Sequence, residues 1–75
     1  MIEVTIRAPW AARHTGAPEL ILNIEGGSTV ADATIRAGIP RDDIGILTIK
    51  NEIIPPSTIL SDGDILEVFP QIIGG

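Results

Sequence analysis

The chain has no cysteine and no tyrosine, and among its 75 residues stand one tryptophan, one phenylalanine, one histidine and one methionine. Without cysteine there is no disulfide framework, no thiolate nucleophile and no zinc ribbon, so stability must come from packing alone. Cations are also scarce: 5 Lys and Arg stand against 10 Asp and Glu, a net charge of −5. An acidic chain with a pI near 4.5 argues against nucleic-acid phosphates and anionic membranes as partners, and for a basic protein surface. No apolar run approaches the roughly 20 residues that a membrane-spanning helix needs. The opening Met1-Ile2-Glu3-Val4-Thr5-Ile6-Arg7 alternates like a strand and lacks the basic-then-apolar form of a signal peptide. A soluble, cytoplasmic domain is the expectation, with neither nucleic acid nor membrane as partner.

What is present is aliphatic. Hydrophobic residues make up 44%, and 15 Ile, 5 Leu and 3 Val dominate them. Branched Cβ atoms favour strands because they pack well on a pleated surface. The length fits one small domain, which buries only roughly 60% of the surface exposed by its unfolded chain.

Ile2, Val4 and Ile6 alternate with Glu3, Thr5 and Arg7, which predicts a half-buried strand over residues 2–8. Pro9 ends it, and residues 9–18 read as a long connection. Leu20, Leu22 and Ile24 form a second period-two run, giving an antiparallel hairpin with the first. After Gly26-Gly27, Thr29 with Asp32 resembles a capping box. Val30, Ala33, Thr34 and Ala37 then share one face of a two- to three-turn helix, with Ile35 off that stripe. Gly38 and Pro40 stop it. Leu47 and Ile49 alternate with Ile46, Thr48 and Lys50 in a third strand. Lys50-Asn51 predicts a tight turn into a short strand, residues 52–54. Thr58 to Leu60 is an anchoring segment between turns. Ile65 to Phe69 is the last strand, and its two apolar faces suit an interior position. One helix covers only one face of such a sheet, so the other face is at least partly wet.

The residues offer little catalytic chemistry. His14 has no Asp, Glu or Ser partner nearby in sequence and reads as a solvated loop residue. Asp42-Asp43 and Asp62-x-Asp64 read as turn residues, and no spacing fits a metal. Gly26-Gly27 lacks the Lys-Ser/Thr of a phosphate loop. Trp10 is either a core plug beneath the long connection or an exposed docking residue.

The end of the chain carries more. If Leu66 and Val68 face the helix, Phe69 shares the wetter face with Glu67. Pro70 then closes the strand, leaving Gln71 to Gly75 with no element to join. An exposed aromatic followed by an apolar tail is a docking candidate, made of Phe69, Ile72 and Ile73. Five extended residues reach at most about 17 Å, enough to enter another protein's active site. Chance places Gly-Gly at a chain end only about once in 200 sequences, at a usage of about 7%. Chemically, glycine lets backbone thread a narrow channel and present a carboxylate unshielded.

These pieces together resemble the ubiquitin-like sulfur carriers of the MoaD and ThiS families over all 75 residues, most weakly across residues 9–18. The resemblance rests on Ser28-Thr29-Val30-Ala31-Asp32 at the helix start, Gly38-Ile39-Pro40 at its exit, and Asn51 to Pro55. Asp62-Gly63-Asp64 before the last strand and terminal Gly74-Gly75 complete it. It implies an α+β fold, a ubiquitin-like β-grasp with a mixed sheet of four to five strands wrapped around one main helix. Residues 1–70 would form that domain and residues 71–75 a flexible tail.

The implied function is that of a carrier, not an enzyme. A ubiquitin-activating-type adenylyltransferase, using ATP and Mg, would adenylate the Gly75 carboxylate, with Gly74 fitting the channel. A persulfide donor would convert the adenylate to a thiocarboxylate, and a synthase large subunit or other acceptor enzyme would receive the sulfur. The chain itself would bind no cofactor and no metal, and would serve as the small subunit of such a synthase. Phe69-Pro70 is similar to the molybdopterin branch, although Gln71 replaces a second proline. Asn51-Glu52-Ile53-Ile54-Pro55 leans toward the thiamine branch. The alternative is a ubiquitin-like modifier joined to lysines through Gly75.

Overall fold

Alternation along the chain becomes a five-stranded mixed sheet in the computed structural model, which describes residues 1–72. The strands are β1 (Ile2–Arg7), β2 (Glu19–Ile24), β3 (Ile44–Ile49), β4 (Glu52–Ile53) and β5 (Ile65–Pro70), in the order β2-β1-β5-β3-β4. β1 and β2 pair antiparallel from Ile2↔Ile24 to Arg7↔Glu19. β5 lies between β1, to which it is parallel, and β3, to which it is antiparallel. The interior position expected of the last strand is therefore its observed one.

Helix α2 (Val30–Ala37) crosses one face of the sheet, and its start matches the spacing read from sequence. The Thr29 hydroxyl accepts from the Asp32 amide at 3.2 Å, and the Asp32 carboxylate accepts from the Thr29 amide at 3.0 Å. Donation from Thr29, its backbone N–H first and its hydroxyl second, holds the Asp32 carboxyl below its ordinary value of 3.8. Gly38 closes the helix at φ +83°, a left-handed conformation that costs a β-carbon-bearing residue more than glycine. A helix of only two turns is marginal alone. Its stability comes from Val30, Ala33, Thr34 and Ala37, all buried, packing over Val4, Ile6, Leu47, Leu66 and Val68. Ile35, off that stripe, is exposed.

Three details differ from the sequence expectation. Residues 9–18 are not plain loop: Pro9–Ala11 form a 3₁₀ turn and Ala12–Thr15 a single helical turn, α1, closed by Gly16 at φ +90°. Proline suits a first helical position and alanine carries no helix penalty, so this connection coils. His14 therefore sits on α1, exposed, rather than in a loop. The last strand also runs further than Phe69. Pro70 pairs with Ile44, and the Gln71 amide donates to the Asp43 carbonyl at 2.8 Å. Pro70 lacks an N–H but retains a carbonyl, so proline at the strand's end does not stop the next residue from bonding.

The Lys50-Asn51 turn holds both residues in the left-handed region, at φ 53° and 64°. That pair of positive φ angles matches the twist of the flanking strands in a two-residue hairpin. Ile54 then donates to Leu47, and the segment from Thr58 to Leu60 bonds back to Ser28 and Val30, tying the loop before β5 to the helix start.

Candidate functional site

The face of the sheet away from α2 is uncovered. Cross-strand partners share a face, so the register sets Ile46 beside Phe69, Thr48 beside both Glu67 and Ile53, and Thr5 beside both Ile65 and Ile21. The exposed apolar residues of this face are Ile21, Ile46, Ile53, Ile65 and Phe69. Phe69 is 45% exposed, whereas its neighbours Leu66 and Val68 are at 0% and 2%. The facing read from the alternation of β5 is the observed facing.

Sequence reasoning singled out Phe69 but missed Ile21, Ile46, Ile53 and Ile65 as its companions. The signal was there for Ile65, which lies two and four residues from Glu67 and Phe69, both read as outward, and for Ile46, which alternates with Leu47 and Ile49. Strand order, however, decides which outward residues meet. Charge on this face is carried by Glu3, Glu19, Glu67 and Arg7, and Arg7 is bridged to Glu19 at 2.9 Å. Both side chains of that bridge are about half exposed, so it contributes little to stability. With Arg7 bridged to Glu19, Glu3 on β1 and Glu67 at the middle of the central strand are the other charges on this face.

The tail begins beside this patch. Ile72 is 88% exposed. Ile73, Gly74 and Gly75 lie outside the described residues, as does the flexibility expected of the tail beyond Ile72.

Trp10 is the plug rather than the docking residue. It packs against the core, half-buried, and its indole donates to the Val68 carbonyl at 2.8 Å. The Asp-Gly-Asp turn is structural too. Asp62 accepts from the Glu3 amide and Asp64 from the Ser61 amide, at 2.8 and 2.7 Å. Among the described residues no three His, Asp or Glu side chains form a metal-binding group, and no helix is long and apolar enough to cross a membrane. A groove of ≈ 660 Å³ between α2 and β3 is lined mainly by aliphatic side chains, with Arg41 its only ionisable one. Such a lining places no acid beside a base.

A mixed sheet in this order, one helix packed across it and an open apolar face define a ubiquitin-like β-grasp protein. The chain belongs to the Mut7-C ubiquitin family, whose model matches residues 10–73. The crystal structure of small archaeal modifier protein 1 from Haloferax volcanii superposes with a TM-score of 0.76 at 19% identity, covering 96% of this chain and 100% of that one. A Pyrococcus furiosus protein assigned as molybdopterin converting factor, subunit 1, gives 0.76 at 17% identity over 96% and 100%. The solution structure of another Haloferax volcanii protein gives 0.75 at 20% identity over 99% of this chain and 87% of that one. At these identities the likeness is one of fold. No curated protein matches the chain.

Proposed function

We propose that this chain is a sulfur carrier whose Gly75 carboxylate is activated and thiolated by partner proteins. One observation supports this reading above the others. The central strand β5 carries the chain past an exposed Phe69 and out of the sheet at Gln71, with Gly74-Gly75 at its end. A strand at the centre of the sheet thus ends beside the exposed Phe69, and the sequence that follows it closes on two glycines.

In the proposed cycle a carboxylate oxygen of Gly75 attacks the α-phosphorus of ATP in an adenylyltransferase, with Mg, and pyrophosphate leaves. The terminal sulfur of a persulfide on a donor protein displaces AMP from the mixed anhydride. A thiol then cleaves the resulting acyl disulfide and releases the thiocarboxylate. Sulfur is the better nucleophile and attacks an intermediate of molybdopterin or thiamine type in the acceptor enzyme, this chain serving there as the small subunit. Catalysis belongs to the cytoplasmic partners, and this chain contributes Phe69, Ile72 and Ile73 for docking, Gly74 for channel fit and Gly75 for chemistry.

The second reading, a modifier joined to lysines through Gly75, draws support from the fold shared with the small archaeal modifier. Intact-mass measurement of the chain purified from its own cells separates the two. A free chain heavier by the exchange of one oxygen for one sulfur supports the carrier. Higher-mass conjugates with no such species would replace it with the modifier. Deleting Gly75 should abolish adenylation with the circular dichroism unchanged, and an adenylated Gly75-deleted chain would overturn both readings.

A further inference from the structure

Gly45 is the extra residue of a β-bulge: Ile44 pairs with Pro70 and Ile46 with Phe69, so three residues of β3 oppose two of β5. Bulges of this kind bend a strand and re-aim its side chains. Its φ lies outside the left-handed region, so backbone conformation does not ask for glycine here. Space does. A Cβ at Gly45 would stand 2.6 Å from the Pro70 carbonyl oxygen and 2.9 Å from both the Pro70 carbonyl carbon and the Gln71 Cα. All three are backbone atoms that cannot swing aside, and ordinary contact begins at 3.4 Å. On the same segment, Asp43, two residues before Gly45, accepts the Gln71 amide at 2.8 Å. The base of the tail is therefore seated against the β3 backbone, held by one hydrogen bond and admitted by one missing side chain.

We infer that Gly45 is a positioning residue for the tail: its bare backbone sets the point and direction at which Gln71 leaves the sheet. This rests on the carrier reading above. From Gln71 the four remaining residues span at most about 14 Å, so an anchor displaced by a side chain shortens the reach of the Gly75 carboxylate inside a partner. Misplacement by about 1 Å is enough to cost a reaction up to about a hundredfold. Docking through the Phe69 face changes far less, so the loss falls on turnover rather than on KM.

The test uses the full chain, its Gly45→Ala variant and a Gly26→Ala control, since Gly26 has no atom within 4 Å of its would-be Cβ and an ordinary φ. ATP–pyrophosphate exchange by the adenylyltransferase of the same organism should show kcat reduced about tenfold or more for Gly45→Ala, with KM nearly unchanged. Gly26→Ala should match wild type. An unchanged kcat for Gly45→Ala, or a loss confined to KM, would overturn the inference. NMR judges the seat independently of any enzyme. In wild type the Gln71 amide should exchange as slowly as those of β5 and show a Gly45 Hα–Gln71 Hα contact, and in Gly45→Ala its exchange should accelerate. Absence of that protection or contact in wild type would refute the seat even if the variant does not fold. A wild-type chain that supports no exchange while the NMR results hold would instead sink the carrier reading and leave the seat standing.

Discussion

The indole N–H of Trp10 donates to the Val68 carbonyl across 2.8 Å, 58 residues away in sequence. The bond replaces one that the ladder cannot form. β1 and β5 are parallel, and Thr5 N–H donates to the Asp64 carbonyl at 2.9 Å. Parallel ladders repeat every second residue, so Arg7 and then Pro9 would donate to the carbonyls of Leu66 and Val68. Proline has no N–H. Trp10 supplies the missing donor from the 3₁₀ turn that the same proline begins.

Trp10→Phe keeps an aromatic plug and removes the donor. The Val68 carbonyl then loses its partner, which should lower stability by about 1–3 kcal/mol in urea denaturation followed by circular dichroism. A loss below about 0.5 kcal/mol would mean that water replaces the indole at no cost.

Phe69→Ala removes an outward aromatic that faces Ile46 across the β3–β5 ladder. Its effect on unfolding should fall below the roughly 3–5 kcal/mol typical of truncating a core phenylalanine. Affinity for the activating enzyme, read by calorimetry, should drop by about 2 kcal/mol or more if Phe69 anchors that interface. Unchanged affinity would move the docking surface elsewhere.

Asp32 links stability to pH. Its carboxyl is held below the ordinary 3.8 by donors that exist only in the folded chain, so the folded state favours the ionised form. The stabilisation is complete above the unfolded value and is lost as pH falls through the lowered one. Asp32→Asn retains an acceptor for the Thr29 amide but does not titrate. The stability difference between wild type and Asp32→Asn should be constant near neutrality and shift against wild type below about pH 4. Chemical denaturation at a series of pH values measures it, and a difference independent of pH would show that the carboxylate gains nothing from Thr29.

Much of this fold was legible because its signals are local. The Thr29–Asp32 box, the Gly38 stop and the turn at Lys50-Asn51 each depend on residues one to three apart, where covalent geometry alone brings the groups together. Alternation in β5 gave the inward facing of Leu66 and Val68, and hence the outward facing of Phe69, because side chains of a strand point to opposite faces whatever strand lies beside it.

Strand order, in contrast, is a property of the packed chain. It made Ile46 the neighbour of Phe69 and gathered Ile21, Ile53 and Ile65, from three strands, onto the same open face. It also gave Gly45 and Trp10 their roles. No periodicity marks Gly45, since its need for a bare Cα arises only where Pro70 and Gln71 pass against it. Nor could composition choose between plug and docking residue for Trp10, whose partner is a backbone carbonyl that becomes vacant only when β1 and β5 lie parallel. The sequence by itself determined which segments are strands and where the helix packed on the sheet begins and ends. Tertiary structure decided which of those residues touch, because a contact between distant segments exists only after burial of the shared core has set their order.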